Sequence, residues 1–355
     1  MALHGMLLLQ KLLLGAFILA AIAASQPESS CNDTCGNVSV PYPFGISEGC
    51  YLDPSFQITC NYSSGTPTPL LGSDTSTVHV LDISLLDGEM RVLSLVARDC
   101  YDESGLPANG LDTSFALGQS KFPISYTRNR FTVVGCDTYA FIEGSGAKNY
   151  TTGCTAFCDR IESVVNGSCS GLGCCQTSIP EGIWDFSLTV KSYKNHSAVH
   201  NFNPCGFAFL VEAEAYNFSS IDLQQLESTE SVPLVIDWAV GNETCEDAQE
   251  NMTSYACKAE DSSCYNSTNG PGYRCNCSHG FQGNPYLPHG CTDVDECSKN
   301  VDSCDNKTQI CNNFAGGFNC SCREGYEEDG ISTNGGTSCR AKVGQSRVIS
   351  IALGK

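Results

Sequence analysis

Basic side chains are scarce. The 355 residues hold 19 Lys and Arg against 39 Asp and Glu, a formal net charge of −20. Nucleic acid is excluded as a partner, because phosphate binding rests on clustered Lys and Arg. Histidine is scarcer still, with six in the chain. None of His79, His196, His200, His279 or His289 stands in a His-Glu-x-x-His or nucleophile-elbow context. Carboxylates are plentiful and evenly spread, so nothing marks a glycosidase pair, and the expectation is a protein that is not an enzyme. Long apolar runs are also missing. Leu12–Ala24, behind Lys11, is the length of a signal-peptide core, with Ala21-Ile22-Ala23 or Ala23-Ala24-Ser25 as the cleavage site. Val348–Gly354 starts a second run that stops too soon to cross a bilayer. The expectation is no membrane span in this chain and a single pass in any longer form. Helical periodicity is confined to one short stretch, Asp222–Glu227.

Cysteine is abundant, at 24 residues. An even count with regular spacing reads as a disulfide framework made in an oxidising compartment. Thirteen Asn-x-Ser/Thr sequons point the same way, to a secreted, glycosylated surface. The cysteines fall into blocks of twelve (Cys31–Cys205), six (Cys245–Cys291) and six (Cys297–Cys339), each able to close its own bridges. Zinc at Cys154/Cys158 or Cys174/Cys175 is set aside in favour of disulfides, with adjacent Cys174 and Cys175 going to different partners.

The first block reads as strands. Val78–Leu86 and Met90–Val96 flank Asp87-Gly88-Glu89 as a hairpin. Phe186–Val190 alternates, and Cys205–Glu212 is apolar almost throughout. The last two blocks repeat Cys-x-Cys-x-x-Gly-aromatic at Cys275–Phe281 and Cys320–Tyr326. Modules of about 45 residues bury too little apolar surface to fold unaided, so three disulfides stand in for a core. The fold class is mainly β and disulfide-rich. The division is a signal peptide at 1–25, a β-rich N-terminal domain at 26–100, its cysteine-rich β extension at 101–240, small modules at 241–291 and 292–340, and a tail at 341–355.

Asp293-Val294-Asp295-Glu296-Cys297, Cys311-Asn312-Asn313-Phe314 and Gly317-Phe318-Asn319-Cys320-Ser321-Cys322 together resemble a calcium-binding epidermal-growth-factor-like (EGF-like) module. The resemblance implies one structural Ca²⁺, held by Asp293, Glu296 and Asn313 side chains and the carbonyls of Val294, Phe314 and Gly317. Ca²⁺ takes six to eight oxygens at roughly 2.3–2.6 Å. It also implies a pairing in each module: Cys245–Cys264, Cys257–Cys275, Cys277–Cys291, then Cys297–Cys311, Cys304–Cys320, Cys322–Cys339. The approach to Cys245, Gly241-Asn242-Glu243-Thr244, lacks the acidic pattern, so only the second module is expected to load calcium.

The stretch Cys31-Asn32-Asp33-Thr34-Cys35-Gly36-Asn37 through Pro41-Tyr42-Pro43-Phe44-Gly45-Ile46 resembles the start of the galacturonan-binding domain of plant wall-associated receptor kinases. Gly173-Cys174-Cys175-Gln176, Asn203-Pro204-Cys205-Gly206-Phe207 and Gly280-Phe281-Gln282-Gly283-Asn284-Pro285-Tyr286 are similar to further parts of that family's extracellular half. The resemblance implies a secreted or cell-surface protein of the cell wall that binds pectin, without the kinase. Residues 26–240 carry 24 acidic and 9 basic side chains, a net of −15, against a polyanionic ligand. Binding then needs a local basic patch, bridging Ca²⁺ or aromatic stacking. Lys121, Arg128 and Arg130 form the first candidate patch, with Arg128 and Arg130 two apart on a strand; Lys191 and Lys194 form a second, and ordinary solvated charges are the alternative. Tyr42 and Phe44 are read as core before sugar-stacking rings. Beside the reading implied by the resemblance, a pectin- and calcium-binding, wall-sensing ectodomain or a soluble relative of one, a structural matrix linker without sugar binding and a wall-modifying hydrolase stay open.

Overall fold

The computed structural model describes residues 31–342 apart from 64, 73–77, 119 and 334–335. The expected signal peptide and most of the tail lie outside the described residues. The chain forms two compact units. One holds the chain up to Cys257 and takes back Cys264–Cys275; the other holds Lys258–Ser263 and the described residues from Asn276 onward.

The larger unit is built from antiparallel sheets. A five-stranded sheet has the order Cys174–Thr177, Asn129–Val134, Cys205–Glu212, Ala97–Tyr101, Pro107–Leu111. Cys205–Glu212 reads as continuous apolar sequence because it is the middle strand and all eight residues are buried. A four-stranded sheet orders Tyr150–Phe157, Asp137–Gly146, Ile183–Ser192, Thr113–Ala116. Its alternating strand turns Ile183, Phe186, Leu188 and Val190 inward. The expected hairpin forms: Val80–Ser84 pairs with Glu89–Leu95, Ile83 opposite Met90, and Ser231–Asp237 adds a third strand. Residues on both sides of position 100 therefore share sheets, and Cys100 is bonded to Cys205. The one expected helix is there, as Asp222–Gln225 continued by a 3-10 turn.

All the cysteines are paired. The large block closes Cys31–Cys50, Cys35–Cys60, Cys100–Cys205, Cys136–Cys158, Cys154–Cys175 and Cys169–Cys174. Cys174 and Cys175 are successive strand residues with opposite faces, so their partners differ. Phe44 packs in an aromatic cluster, 5.1 Å from Phe56 and 5.2 Å from Trp238 between ring centroids. It is a core residue, 1% exposed.

A polar hub lies under the 192–205 segment. Buried Asn203 accepts from Cys136 N and donates to the carbonyls of Cys205 and Leu223. His196 is fully buried; its Nδ1 lies 2.8 Å from Asn203 O, while Nε2 has no partner. Burial pushes its pKa below the ordinary 6.5, against the pull of Asn203 and Asp137. The unfolded chain thus takes up the proton first, and this contribution to stability is complete above pH 6.5 and shrinks as pH falls below it. The unfolding temperature is expected to drop between pH 7 and 5. Removing the imidazole with His196→Gln lowers the temperature overall but flattens that slope. An unchanged slope in the variant rejects the assignment.

The Cys264–Cys275 stretch of the first EGF-like module belongs to the same unit as the large block. Val240 and Tyr273 exchange backbone hydrogen bonds of 2.8 and 3.0 Å. Asn269, 1% exposed, donates to Ile124 O and to the Asp237 carboxylate at 2.7 Å and accepts from Gly182 N. The buried Arg274 donates to the carbonyls of Asp87 and Gly88. The bonds Cys245–Cys264 and Cys257–Cys275 close this part of the module.

The smaller unit contains Cys277–Cys291 and then Cys297–Cys311, Cys304–Cys320 and Cys322–Cys339. Its main sheet orders Gln309–Phe314, Gly317–Cys322, Gly336–Ala341, Tyr326–Thr333.

Candidate functional site: a calcium centre and a basic patch

The acidic segment before Cys297 is fixed at both ends. Val294 N donates to Gly280 O at 2.8 Å. Downstream, Asp295 caps the short helix Glu296–Lys299 by accepting from Ser298 N at 2.9 Å. The Cys297–Cys311 bond ties this segment to the strand that carries Asn313. Phe314 and Gly317 face each other across the hairpin, with Ala315 and Gly316 as the turn.

Asp293 is the meeting point. One carboxylate oxygen accepts from Asn313 Nδ2 at 2.7 Å and the other from Gly316 N at 2.6 Å. These bonds, Gly316 first, hold its carboxyl below the usual aspartate range. Glu296 Oε2 is buried without a hydrogen-bond partner. A stranded buried carboxylate oxygen is costly, and a cation removes that cost. The donor set of two carboxylates and one amide, all hard oxygen, suits Ca²⁺. A half-turn of the Asn313 amide about its last bond presents oxygen in place of nitrogen. The residues present therefore fit a calcium ion.

The joint beside this site is tight. Gly280, at φ +81°, lies against Gly316: a Cβ on it would stand 2.3 Å from Gly316 O. The Phe281 ring covers Gly316, and Lys299 Nζ reaches Gln282 Oε1 at 2.9 Å. Only glycine fits at position 280, for reasons of both backbone conformation and space.

Lys121, Arg128 and Arg130 have different surroundings. Lys121 pairs with Asp53 at 2.9 Å and sits over the Phe56 ring. Burial raises the Asp53 pKa, but hydrogen bonds from Ser55 and Lys121 outweigh it and hold the group low. Arg128 bridges Glu89 and Glu212, both at 2.9 Å, and Arg91 adds a second bond to Glu212. Glu212 is 5% exposed and needs both guanidinium groups. Arg130 folds back on the carbonyls of Thr127 and Asn129. Among the described residues it has no carboxylate within ion-pair distance, so its charge is the one in this patch left for a ligand. Sequence reasoning missed Asn269 and Arg274 because neither belongs to a motif.

Residues 31–94 match the wall-associated receptor kinase galacturonan-binding domain, and residues 293–339 the calcium-binding EGF domain. Three wall-associated receptor kinases of Arabidopsis thaliana align over most of the chain. Kinase 2 is 40% identical over 91% of it, kinase 1 is 38% over 86% and kinase 5 is 37% over 86%. The chain spans about two-fifths of the length of these relatives, 40 to 41% of each. The chain is thus similar to wall-associated receptor kinases over about two-fifths of their length, and carries matches to a galacturonan-binding and a calcium-binding EGF domain.

Proposed function

We propose that this chain is an extracellular, wall-located pectin-binding unit whose second EGF-like module holds one structural Ca²⁺. The observation that carries the reading is the galacturonan-binding match at 31–94, in one compact unit with the rest of the large β block. Calcium acts on the joint rather than in any reaction. Asp293, Glu296 and Asn313 supply oxygen, and the Gly280–Gly316 contact fixes the angle that the ion then locks. Extracellular modules of this kind hold Ca²⁺ with a Kd of roughly 10⁻⁴–10⁻³ M, which suits a permanent strut. The net charge of 26–240 disfavours long-range capture of a polyanion, so recognition is local, through unpaired cations and ring faces.

Titration of the secreted, glycosylated protein with de-esterified galacturonan oligomers, with and without Ca²⁺, tests this. Arg130→Ala is expected to weaken binding about tenfold with no change in unfolding temperature, since a charge-assisted bond is worth on the order of 1.5 kcal/mol. Arg128→Ala lowers stability instead, by on the order of 2 kcal/mol, because Glu212 loses a partner in a half-exposed network. Saturable binding untouched by Arg130→Ala removes that residue and keeps the function. No binding in either condition overturns the pectin reading and leaves a structural linker.

A further inference from the structure

The outer face of the four-stranded sheet has an order that the fold does not need. Strand pairing sets Thr155, Tyr139 and Lys191 in one row across three strands, and Gly153, Phe141 and Thr189 in the next. Residues of the same parity share a face. The intervening Ala140, Ile142, Leu188 and Val190 are buried, so these two rows point outward. Tyr193 extends the first row. Its ring lies 4.6 Å from that of Tyr139, and its hydroxyl is 3.2 Å from Thr155 Oγ1. Phe141 completes the group, 5.9 Å from Tyr139.

Two details make this a platform rather than a scatter of surface residues. A Cβ at Gly153 would come within 2.9 Å of two Phe141 ring atoms. The missing side chain thus lets that ring lie across the neighbouring strand with its other side in water. Phe141 is 45% exposed and Tyr193 55%. Cations border the rings on one side. Lys191 is half-exposed and only loosely paired, 3.9 Å from Asp112, and Lys194 follows at the strand's end with no carboxylate within ion-pair distance among the described residues. Toward the other end the same face deepens into a groove of about 490 Å³ lined by Glu143, Ser187 and Asp185, within the range of roughly 300–1,000 Å³ for small-ligand sites.

We infer that this face is a second carbohydrate-contact surface, outside residues 31–94, which stacks pyranose rings on Tyr139, Phe141 and Tyr193 while Lys191 and Lys194 meet uronate carboxylates. The inference rests on the pectin-binding reading and adds a place to it. Rings in a row suit the flat apolar faces of successive sugars, and hydroxyls of Thr155 and Thr189 edge them. The charge pattern fixes an orientation: carboxylates lie toward the lysines, and only uncharged hydroxyls enter the end bordered by Glu143 and Asp185. An acidic protein thereby gains a contact with an acidic polymer through an aromatic face with cations beside it.

The test is titration of the full secreted chain with de-esterified galacturonan oligomers, comparing wild type with F141A/Y193A and with K191A/K194A. The aromatic pair is expected to lose roughly tenfold or more in affinity at any salt, from two stacking contacts. The lysine pair is expected to lose affinity at low salt only, and to lose nothing for methyl-esterified oligomers. All four side chains are exposed, so unfolding temperatures should not change. If wild type binds and F141A/Y193A binds equally, the platform is overturned and the pectin reading stands. If that variant instead turns a dimer into a monomer at unchanged sugar affinity, the face is an interface between copies and the inference is again overturned. If wild type fails to bind, both fall together.

Discussion

Asn269→Ala is expected to lower the unfolding temperature of the larger unit by roughly 10 °C. The side chain is fully buried and makes three hydrogen bonds to residues far away in sequence, at Ile124, Gly182 and Asp237. Its removal strands a carbonyl, an amide and part of a carboxylate, each costing about 1–3 kcal/mol. A total of about 4 kcal/mol corresponds to roughly 2–4 °C per kcal/mol in a unit of this size. The loss also has a pH signature. Burial raises the Asp237 pKa above its ordinary 3.8, and hydrogen bonds from Asn269 and Ser125 partly restrain the rise. A raised carboxylate pKa means that the folded state holds its proton longer, so ionisation costs stability as pH climbs from about 3.8 through the folded value. Without Asn269 the restraint is gone and the cost grows. The deficit of the variant against wild type should therefore be larger at pH 7 than at pH 4, read by thermal unfolding at both. Equal deficits would mean that the amide contributes only through its two backbone contacts. Arg274→Ala should act in the same direction, by losing its bonds to the Asp87 and Gly88 carbonyls. Because the Arg274 charge also restrains the Asp237 pKa, its deficit should likewise be larger at pH 7 than at pH 4, by less than for Asn269→Ala.

This contact also explains what the sequence made legible and what it did not. The second EGF-like module was readable because its determinants are local: Asp293 and Asn313 lie at fixed offsets from Cys297 and Cys311. The hairpin around Gly88 and the buried strand Cys205–Glu212 were readable from alternation and its absence. The family signatures at Gly173–Gln176 and Asn203–Phe209 were readable as patterns but not as roles. Structurally they are a disulfide crossing and a hydrogen-bond hub. Asn269 and Arg274 left no trace, because the partners are 145 residues or more away for Ile124 and Asp87 and nothing near either residue requires it. The basic patch shows the same limit. Spacing places Arg128 and Arg130 two apart, but only the tertiary approach of Glu89 and Glu212 decides that one is held in a network and the other is free of carboxylates. The aromatic face was out of reach too. Tyr139, Phe141 and Tyr193 come together through strand register, which alternation alone does not fix.

Asp293→Ala is expected to weaken Ca²⁺ binding by at least about 100-fold, more than the roughly 10–100-fold typical of losing a residue that merely supports a ligand. Glu296→Gln should come close to the same loss. It keeps the shape but removes the charge from a buried oxygen that has no other partner. The two variants differ without metal. Asp293→Ala releases Asn313 and Gly316 N and loosens the hairpin turn, whereas Glu296→Gln places a neutral amide where a bare carboxylate oxygen was buried and should leave the metal-free module at least as stable as wild type. Calorimetric titration with Ca²⁺ and thermal unfolding in chelator read these two effects separately. Proton competition gives a further check. The Gly316 and Asn313 bonds hold the Asp293 carboxyl below its ordinary value of 3.8, so it stays ionised and available at mildly acidic pH. A depressed carboxylate pKa contributes stability that is present above the unfolded value and lost as pH falls through the folded one. Calcium affinity in the wild type should thus hold from pH 7 down to about 5, because proton release on binding is small there. A steep fall in affinity across that range would mean that Asp293 is not the ionised ligand, and would move the site away from the Asp293–Asn313–Gly316 corner.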